Sequence, residues 1–423
     1  MLKKISVILV SILIISTIAV GCKSESASDT QSTDTTQTTG SKVKDVTITI
    51  FQSKVEITEQ LEKLAKEYSD MTDGVEVEVW GTTGDDYMTQ LQTKLGAGQG
   101  PTILSAGVGT EAEDLSDYLY DLSNEEYVKY IAPGMEVRSK DGKLIGIPYG
   151  AEGFGFVYNK SLVDASKITD YDSFSNTLKE LKESDVQAVS LTKEAYFLIA
   201  HILNVPFALQ DDPEAFVEEL TNGTKKMTGN PIFEEWAKFM EIIKSEGVNP
   251  LEINYDTQTG DFATGKTAMI HQGNWAYGMF DSYDIDFDMG ILSMPVNGND
   301  KISVGIPNSW GINASASEDE IKAALEFLDW LFTSEKGQSY IVDKFGFIPA
   351  MTNMKTDTLD PLGKEVAEYT ASGKTLPWVF NIWPAGIVNN DFVPATQKFF
   401  SNEKMTGNEF LQELDKAWEN ATK

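Results

Sequence analysis

The 423-residue chain predicts an α/β fold in which a sheet of largely parallel strands is covered by helices. Three observations carry this. Residues 46–51 (VTITIF) and 75–80 (VEVEVW) alternate with the period of a strand. The segments that follow them, 56–69 and 85–95, carry apolar residues at helical spacing. Residues 102–106 then form a short apolar run of the buried-strand kind, so the chain opens β-α-β-α-β, the order of parallel strands with crossover helices.

A second stretch of the same character follows Gly153. Strands are expected at 154–158 and 186–191, and helices at 171–183 and 231–245. Further strands are expected near 267–271, 289–292 and 303–307. The last third reads as mostly helical, over 318–333, 335–344 and 408–421. No internal repeat is visible.

Ahead of this region, Lys3 and Lys4 precede an apolar run over 5–20 and then small residues, the layout of an export signal. The run is shorter than the roughly 18 residues of a membrane-spanning helix. Cys22 is the only cysteine. It follows Ala19-Val20-Gly21 and resembles the lipobox of bacterial lipoproteins, where cysteine is lipidated and becomes the first mature residue; Ala19 stands where that family prefers Leu. The expected layout is a signal at 1–21 and a lipid-anchored linker at 22–42, with an exported protein tethered to the outer face of the cytoplasmic membrane, of a Gram-positive-type bacterium. Residues 23–42 are more than half Ser and Thr, too polar to offset the entropy of ordering. A flexible tether of that length reaches about 25 Å.

The remainder, about 380 residues, has length for two or three domains, and 41 % hydrophobic content gives it material for a core. Removing Lys3 and Lys4 with the signal leaves 32 basic against 65 acidic side chains, a formal charge of −33 in place of −31. Such a surface repels phosphate backbones and anionic lipid, which argues against nucleic-acid binding. Arg138 is the only arginine, so a dedicated phosphate or carboxylate binder is disfavoured. Uncharged polar ligands suit this balance best.

Enzyme signatures are thin. Residues 260–267 (GDFATGKT) satisfy the phosphate-loop pattern letter for letter. That chemistry needs a strand before the loop and a helix after it, and here a helix over 256–264 is expected to precede a strand at 267–271. His201 and His271 are the only histidines. They are too far apart for a helical metal pair, and His201 in the apolar segment 196–205 reads as a buried or surface helix residue. No metal or cofactor motif is found. Glu152 and Glu194 would serve a glycosidase as a carboxylate pair, although carboxylates are abundant throughout.

The aromatics say more. Trp80, Trp275, Trp310, Trp378 and Trp383 sit in loop or element-end contexts beside Gly, Asn or Pro, whereas Trp236, Trp330 and Trp418 lie on helical stripes and read as core. An indole held at a loop end offers a flat apolar face with a polar edge. Sugar rings stack on such faces while their hydroxyls take carboxylates and amides. Domain packing is the alternative for each of the five.

Several segments together resemble the extracellular solute-binding proteins of carbohydrate ABC importers, the group that includes maltose-binding protein: Ile147-Pro148-Tyr149-Gly150-Ala151-Glu152 with Tyr158-Asn159-Lys160, Phe262-x-x-Gly265-Lys266-x-Ala268-Met269, Gly273-Asn274-Trp275-Ala276, Trp310-Gly311-Ile312-Asn313-Ala314, and Phe345-Gly346-Phe347-Ile348-Pro349. The likeness spans nearly all of Val43–Lys423 and explains the false phosphate loop. It implies two α/β lobes of the periplasmic-binding-protein type, residues 43–150 plus 303–348 and residues 153–300 plus 350–423. They would be joined by hinge crossings near 150–153, 296–303 and 347–351.

The resemblance also implies sugar-contacting roles. Glu152 falls at a crossing, Glu194 and Tyr196 match a Glu-x-Tyr segment, and Trp275 matches a stacking tryptophan, with Asn274 beside it. Trp383 or Trp378 falls near the last stacking aromatic, and Lys54 lies in the loop after the first strand. Trp80 and Trp310 remain candidates. The loop at 107–114 (GVGTEAED) departs from the family pattern and leaves Glu111 as its candidate, so the ligand need not be maltose. The implied function is capture of a di- or oligosaccharide by hinge closure and delivery to a permease with a separate ATPase. The protein is expected to be a monomer, not an enzyme, and to need no cofactor. A glycoside hydrolase, or a binder of polyamine or peptide, is the alternative.

Overall fold

The computed structural model describes residues 45–423 apart from 83, 134 and 281. The expected signal, Cys22 and the linker lie outside the described residues.

In chain order the first sheet and its helices are β1 (Val46–Gln52), α1 (Thr58–Met71), β2 (Val75–Gly81), α2 (Gly84–Gly96), β3 (Ile103–Ala106), α3 (Thr110–Leu115), β4 (Val137–Arg138) and β5 (Leu144–Pro148). The second group holds β6 (Glu152–Asn159), α4 (Tyr171–Glu183), β7 (Gln187–Ser190), α5 (His201–Ala208), α6 (Pro213–Thr221), α7 (Pro231–Glu246), α8 (Tyr255–Ala263), β8 (Thr267–Gly273), β9 (Met289–Leu292) and β10 (Ile302–Gly305). The chain then returns through β11 (Ser309–Ile312), α9 (Glu318–Thr333) and α10 (Glu335–Ser339), and ends with α11 (Pro361–Ala371), β12 (Thr375–Leu376), α12 (Val393–Ser401) and α13 (Gly407–Ala421).

Each sheet has a β-strand seam made for burial. In β1, Ile48 and Ile50 are fully buried and face Leu61, Leu64 and Tyr68 of α1, the apolar stripe that makes residues 58–71 a helix. Reciprocal caps fix the first turn of three helices: Asp170 with Ser173 and Ser317 with Glu320, whose helices start at the expected residues, and Thr406 with Glu409, whose helix starts one residue before the expected 408. Each such cap contributes about 1 kcal/mol.

The strand orders are β2-β1-β3-β11-β5-β4 and β12-β10-β6-β8-β7, with β9 also on β6. The expectation of largely parallel sheets holds for β1 with β2 and β3, for β7 with β8 and for β10 with β12. It fails elsewhere, since β11 runs antiparallel to both β3 and β5, and β6 antiparallel to β8, β9 and β10. The reason is that β11 arrives from the other sheet and enters the gap between β3 and β5 from the opposite end.

Three passages join the two lobes. The first is residues 149–151, between β5 and β6. The second is residues 306–308: β10 pairs with β6 and β12 in the second sheet, so the crossing lies downstream of the expected 296–303, and the first lobe resumes at Ser309 rather than 303. The third also lies later than 347–351. Ala350 O accepts from Ala132 N at 2.9 Å, and Met351, Met354 and Leu359 belong to the first core, whereas Leu362 and Val366 belong to the second. The expected 350–423 segment of the second lobe therefore begins near Pro361.

Asp360 stands at that third passage. Its carboxylate caps α11, accepting from Gly363 N at 2.8 Å, yet burial pushes its pKa up to about 6. A carboxyl raised in the folded state favours folding below its ordinary value, and that advantage is lost as pH rises to about 6. Asp360→Asn keeps the cap without the buried charge. It should raise the melting temperature at pH 7.5, by on the order of 2 kcal/mol of stability, and change little at pH 4; thermal melts at the two pH values check this, and an equal effect at both would refute it.

Candidate functional site

The site is built where β1, the first crossing and the start of α5 come together. Gln52 ends β1, and its Oε1 accepts from Lys54 N at 2.6 Å while its Nε2 donates to Thr58 Oγ1 at 3.0 Å. These bonds fold residues 53–57 over the strand end and project Lys54 toward the second lobe. Its Nζ lies 2.7 Å from Glu152 Oε1, with the two side chains 11 % and 2 % exposed. Glu152 is the first residue of β6, placed immediately past the first crossing. Burial pushes its carboxyl above the ordinary range, against the pull of Lys54. Burial alone would lower Lys54; the carboxylates of Glu152 and Glu56 outweigh it and hold the ammonium above its ordinary value.

An aromatic wall stands beside this pair. Trp275 begins the turn after β8, and its Nε1 donates to Gln272 Oε1 at 2.8 Å. Gln272 Nε2 donates to Gln258 Oε1, and Gln258 Nε2 to Ser190 O, each at 2.7 Å. This chain of buried amides fixes the indole plane. The ring lies 6.2 Å from Phe197 at 18° and 5.3 Å from His201, and Lys54 Nζ stands 6.0 Å from its centroid. Asn274 braces the crossing: Gly153 N donates to its Oδ1 at 2.9 Å.

His201 occupies the middle of the wall, stacked on Phe154 at 4.4 Å and 5.6 Å from Phe380. The 377–380 segment is drawn to it by Asn204, buried on the same helix, which donates to Pro377 O at 2.9 Å and accepts from Val379 N at 2.7 Å. Trp378 is thereby held 5.5 Å from Phe154.

Around these rings lie polar atoms that are buried without a hydrogen-bond partner: Glu194 Oε2, His201 Nδ1, Asn274 Nδ2 and Trp378 Nε1. Glu194's other oxygen accepts from Tyr255 N at 3.2 Å. Burial and the nearby Glu56 carboxylate push the Tyr255 hydroxyl well above its usual value, so it is a neutral donor. Burial holds His201 well below the ordinary histidine range, with His271 and Lys54 adding to the effect. An unpartnered buried polar atom costs about 1–3 kcal/mol, and natural folds hold few of them. Four stand around one aromatic surface.

The lobes also meet on the flank of the site. Thr110 Oγ1 donates to Trp383 O at 3.3 Å, and Gly109 has φ +64°, with its Cβ position against Asn381 O. Any side chain at 109 would both strain the backbone and hold the lobes apart.

Lys54, Glu152, Glu194, Asn274, Trp275 and Trp378 come together as described. Tyr196 is on the rim, 41 % exposed, with its ring 5.7 Å from His201. Glu111 lies in the first turn of α3 beside Thr110, which touches the second lobe; its side chain folds against Gly107, and burial raises its carboxyl. Three tryptophans are elsewhere. Trp383 is 1 % exposed in the core of the second lobe, against Phe207 and Trp418. Trp310 is buried in the first core, 4.7 Å from Tyr149, because it lies inside β11 rather than in a loop. Trp80 ends the edge strand β2 under Lys94 Nζ at 5.0 Å.

His201, Phe154, Phe197, Tyr255 and Phe380 were not anticipated. One signal was available: Phe197, His201 and Asn204 recur at four- and three-residue spacing, a polar-bearing face on an otherwise apolar helix. At the phosphate-loop look-alike, α8 ends at Ala263, Gly265 has φ +73° and β8 begins at Thr267. Lys266 pairs with Asp261 at 2.7 Å. Among the described residues, no cluster of three or more His, Cys, Asp or Glu is placed to hold a metal. No described helix is long and apolar enough to cross a membrane.

Residues 63–372 match the family profile described as bacterial extracellular solute-binding protein. The maltotriose-binding protein of Pyrococcus abyssi is 24 % identical over 313 residues, 70 % of this chain and 64 % of that protein, so the chain spans just under two thirds of this relative. Two solved structures share the fold: a chitin oligosaccharide binding protein, with TM-score 0.76 and 23 % identity over 89 % of this chain and 99 % of that one, and the solute-binding protein RafE in complex with raffinose, with TM-score 0.75 and 19 % identity over 89 % of this chain and all of the other.

Proposed function

The chain belongs to the bacterial extracellular solute-binding protein family, and from that premise we propose that it captures a di- or oligosaccharide between its lobes and hands it to an ABC importer. The observation that carries the reading is the aromatic wall of Phe154, Trp275 and Trp378, ringed by buried polar atoms that lack partners. Stacking faces and uncommitted donors and acceptors are what a sugar's two kinds of surface require. The names of similar proteins, for maltotriose, raffinose and chitin oligosaccharide, support a saccharide.

The mechanism is reversible clamping. Lys54 and Glu56 come from the first lobe, and Glu152, Glu194, Tyr255 and Trp275 from the second. A ligand seated between them gains both sets of contacts only when the lobes close, so it shifts the hinge equilibrium toward the closed form. Each charge-assisted bond from Lys54 or a glutamate to a hydroxyl contributes about 1.5–3 kcal/mol. The ammonium of Lys54, 2.7 Å from Glu152, holds that carboxylate in place as a hydrogen-bond acceptor, an arrangement suited to binding hydroxyls. The closed form then docks on a membrane permease driven by a separate ATPase, and the lipidated Cys22 with its polar tether keeps this monomeric binder at the outer face of the membrane.

The test is a thermal-shift panel of maltotriose, raffinose, a chitin oligosaccharide and spermidine. A saccharide at 100 times its Kd adds about 2.7 kcal/mol of stability, a shift of several degrees. Chromatography after a day should return that saccharide intact. A shift with spermidine alone would replace the sugar reading by a polyamine one, and shortened saccharide would make the protein a hydrolase.

A further inference from the structure

We propose that His201 is a ligand-contacting, specificity-determining residue, whose Nδ1 pairs with a ligand hydroxyl at the centre of the aromatic wall; this rests on the saccharide reading above. Two histidines are buried with an unpartnered Nδ1, and their surroundings separate them. His271 meets Phe154 and Phe156, within the sheet's own packing. His201 instead touches rings from four separate elements that converge on the cleft: Tyr196 and Phe197 ahead of it, Phe154 on β6, Trp275 after β8, and Trp378 and Phe380 near the C-terminal end. The first lobe's Lys54 Nζ stands 6.0 Å from the Trp275 ring, which lies 5.3 Å from the imidazole.

Three amides nearby are already engaged: Gln272 and Gln258 bond Trp275 and each other, and Asn204 holds the 377–380 segment. His201 lies in their midst with Nδ1 uncommitted. It follows directly on the widened, π-type turn Tyr196–Ala200, a distortion often found at functional sites.

The chemistry selects the partner. Lys54 from the first lobe and His271 from β8 both oppose a second positive charge, while Glu152 and Lys54 satisfy one another, so the imidazole is neutral in the physiological range. A neutral imidazole has one donor and one acceptor nitrogen, and the tautomer can change. A hydroxyl, which both donates and accepts, pairs with either tautomer, whereas an ammonium or carboxylate fits only one. The ring therefore reads one hydroxyl position while Phe154 supports it from below.

The test compares His201→Asn, His201→Phe and Trp275→Ala by calorimetry, using whichever of maltotriose, raffinose or chitin oligosaccharide the native protein binds, and its deoxy analogues. His201→Phe keeps the ring packing and should lose at least tenfold in affinity; His201→Asn should retain part of it. One deoxy analogue should bind native protein weakly yet lose nothing further on His201→Phe. Native affinity should stay flat from pH 6 to 8. If His201→Phe binds as native protein does, while Trp275→Ala is impaired, the assignment of His201 falls and the saccharide site stands. If none of the saccharides binds native protein, the saccharide reading itself falls, and this inference with it. If every deoxy analogue loses equally on His201→Phe, the effect is packing and the proposed hydrogen bond is wrong.

Discussion

Replacing Lys54 with Met should weaken ligand binding by about a hundredfold and leave the unliganded protein folded. Lys54 and Glu152 belong to different lobes, and Glu152 is 2 % exposed where they meet. Removing one member of a buried ion pair strands the other charge at about 3–5 kcal/mol. Swinging the lobes apart returns Glu152 to water, so the penalty falls on closure and not on folding. Lys54→Met should therefore show an unchanged melting temperature without ligand, a raised Kd by calorimetry, and a larger radius of gyration by small-angle scattering when ligand is added. Burial already pushes the Glu152 carboxyl upward, and loss of Lys54 removes its main counterweight. Protonation then relieves the stranded charge, so the defect should shrink as pH falls from 8 toward 5. Lys54→Met combined with Glu152→Gln should recover part of the lost affinity. A single variant within threefold of native affinity would show that the pair is not part of the clamp.

Trp275→Ala carries the other large effect: a loss of at least tenfold, and about a hundredfold if the full indole face stacks on the ligand. Unlike Lys54, Trp275 is also structural. It is 8 % exposed and packs against Phe197 and Phe154, so truncation should lower stability by about 3–5 kcal/mol. Its Nε1 is the donor to Gln272, and the variant leaves that amide oxygen without its partner. Trp275→Phe separates the two roles. It keeps an aromatic face and loses the N–H, so it should share much of the stability loss while binding within about tenfold of native protein. Calorimetry with circular-dichroism melts reads both quantities. Trp275→Ala with an unchanged Kd would take the indole out of the site.

Elements whose cause is local were legible. The span expected for α4 matches the observed helix residue for residue, because Asp170 and Ser173 close its first turn and an apolar stripe continues from Phe174. The same holds for α9 and its Ser317 cap. The motifs that carry Trp275 and Glu152 lie at the ends of β8 and β6. Trp310 and Trp383 show where local reading stops. Both have small or turn-forming neighbours, yet one pairs inside β11 between two strands far apart in sequence, and the other is enclosed by helices that arrive as many as 176 residues earlier, as Phe207 does. Burial of this kind depends on long-range partners, which neighbours in sequence do not encode. The crossings moved for the same reason: β10 looked like the start of the first lobe's return, and only its pairing with Glu152, Gly153 and Phe154 assigns it to the second sheet.

By itself the sequence determined the α/β class, the acidic character, the reversed helix-to-strand order at the phosphate-loop look-alike, and the family resemblance borne by short motifs. These rest on composition and on periodicity within a turn or a strand. The tertiary structure alone decided that Trp275 and Trp378 share one cluster while Trp310 and Trp383 lie in separate cores, that Lys54 and Glu152 pair across the lobes, and that His201 stands among six rings. Those facts come from side chains brought together by three separate crossings of the chain, and a contact free energy exists only once both of its halves are in place.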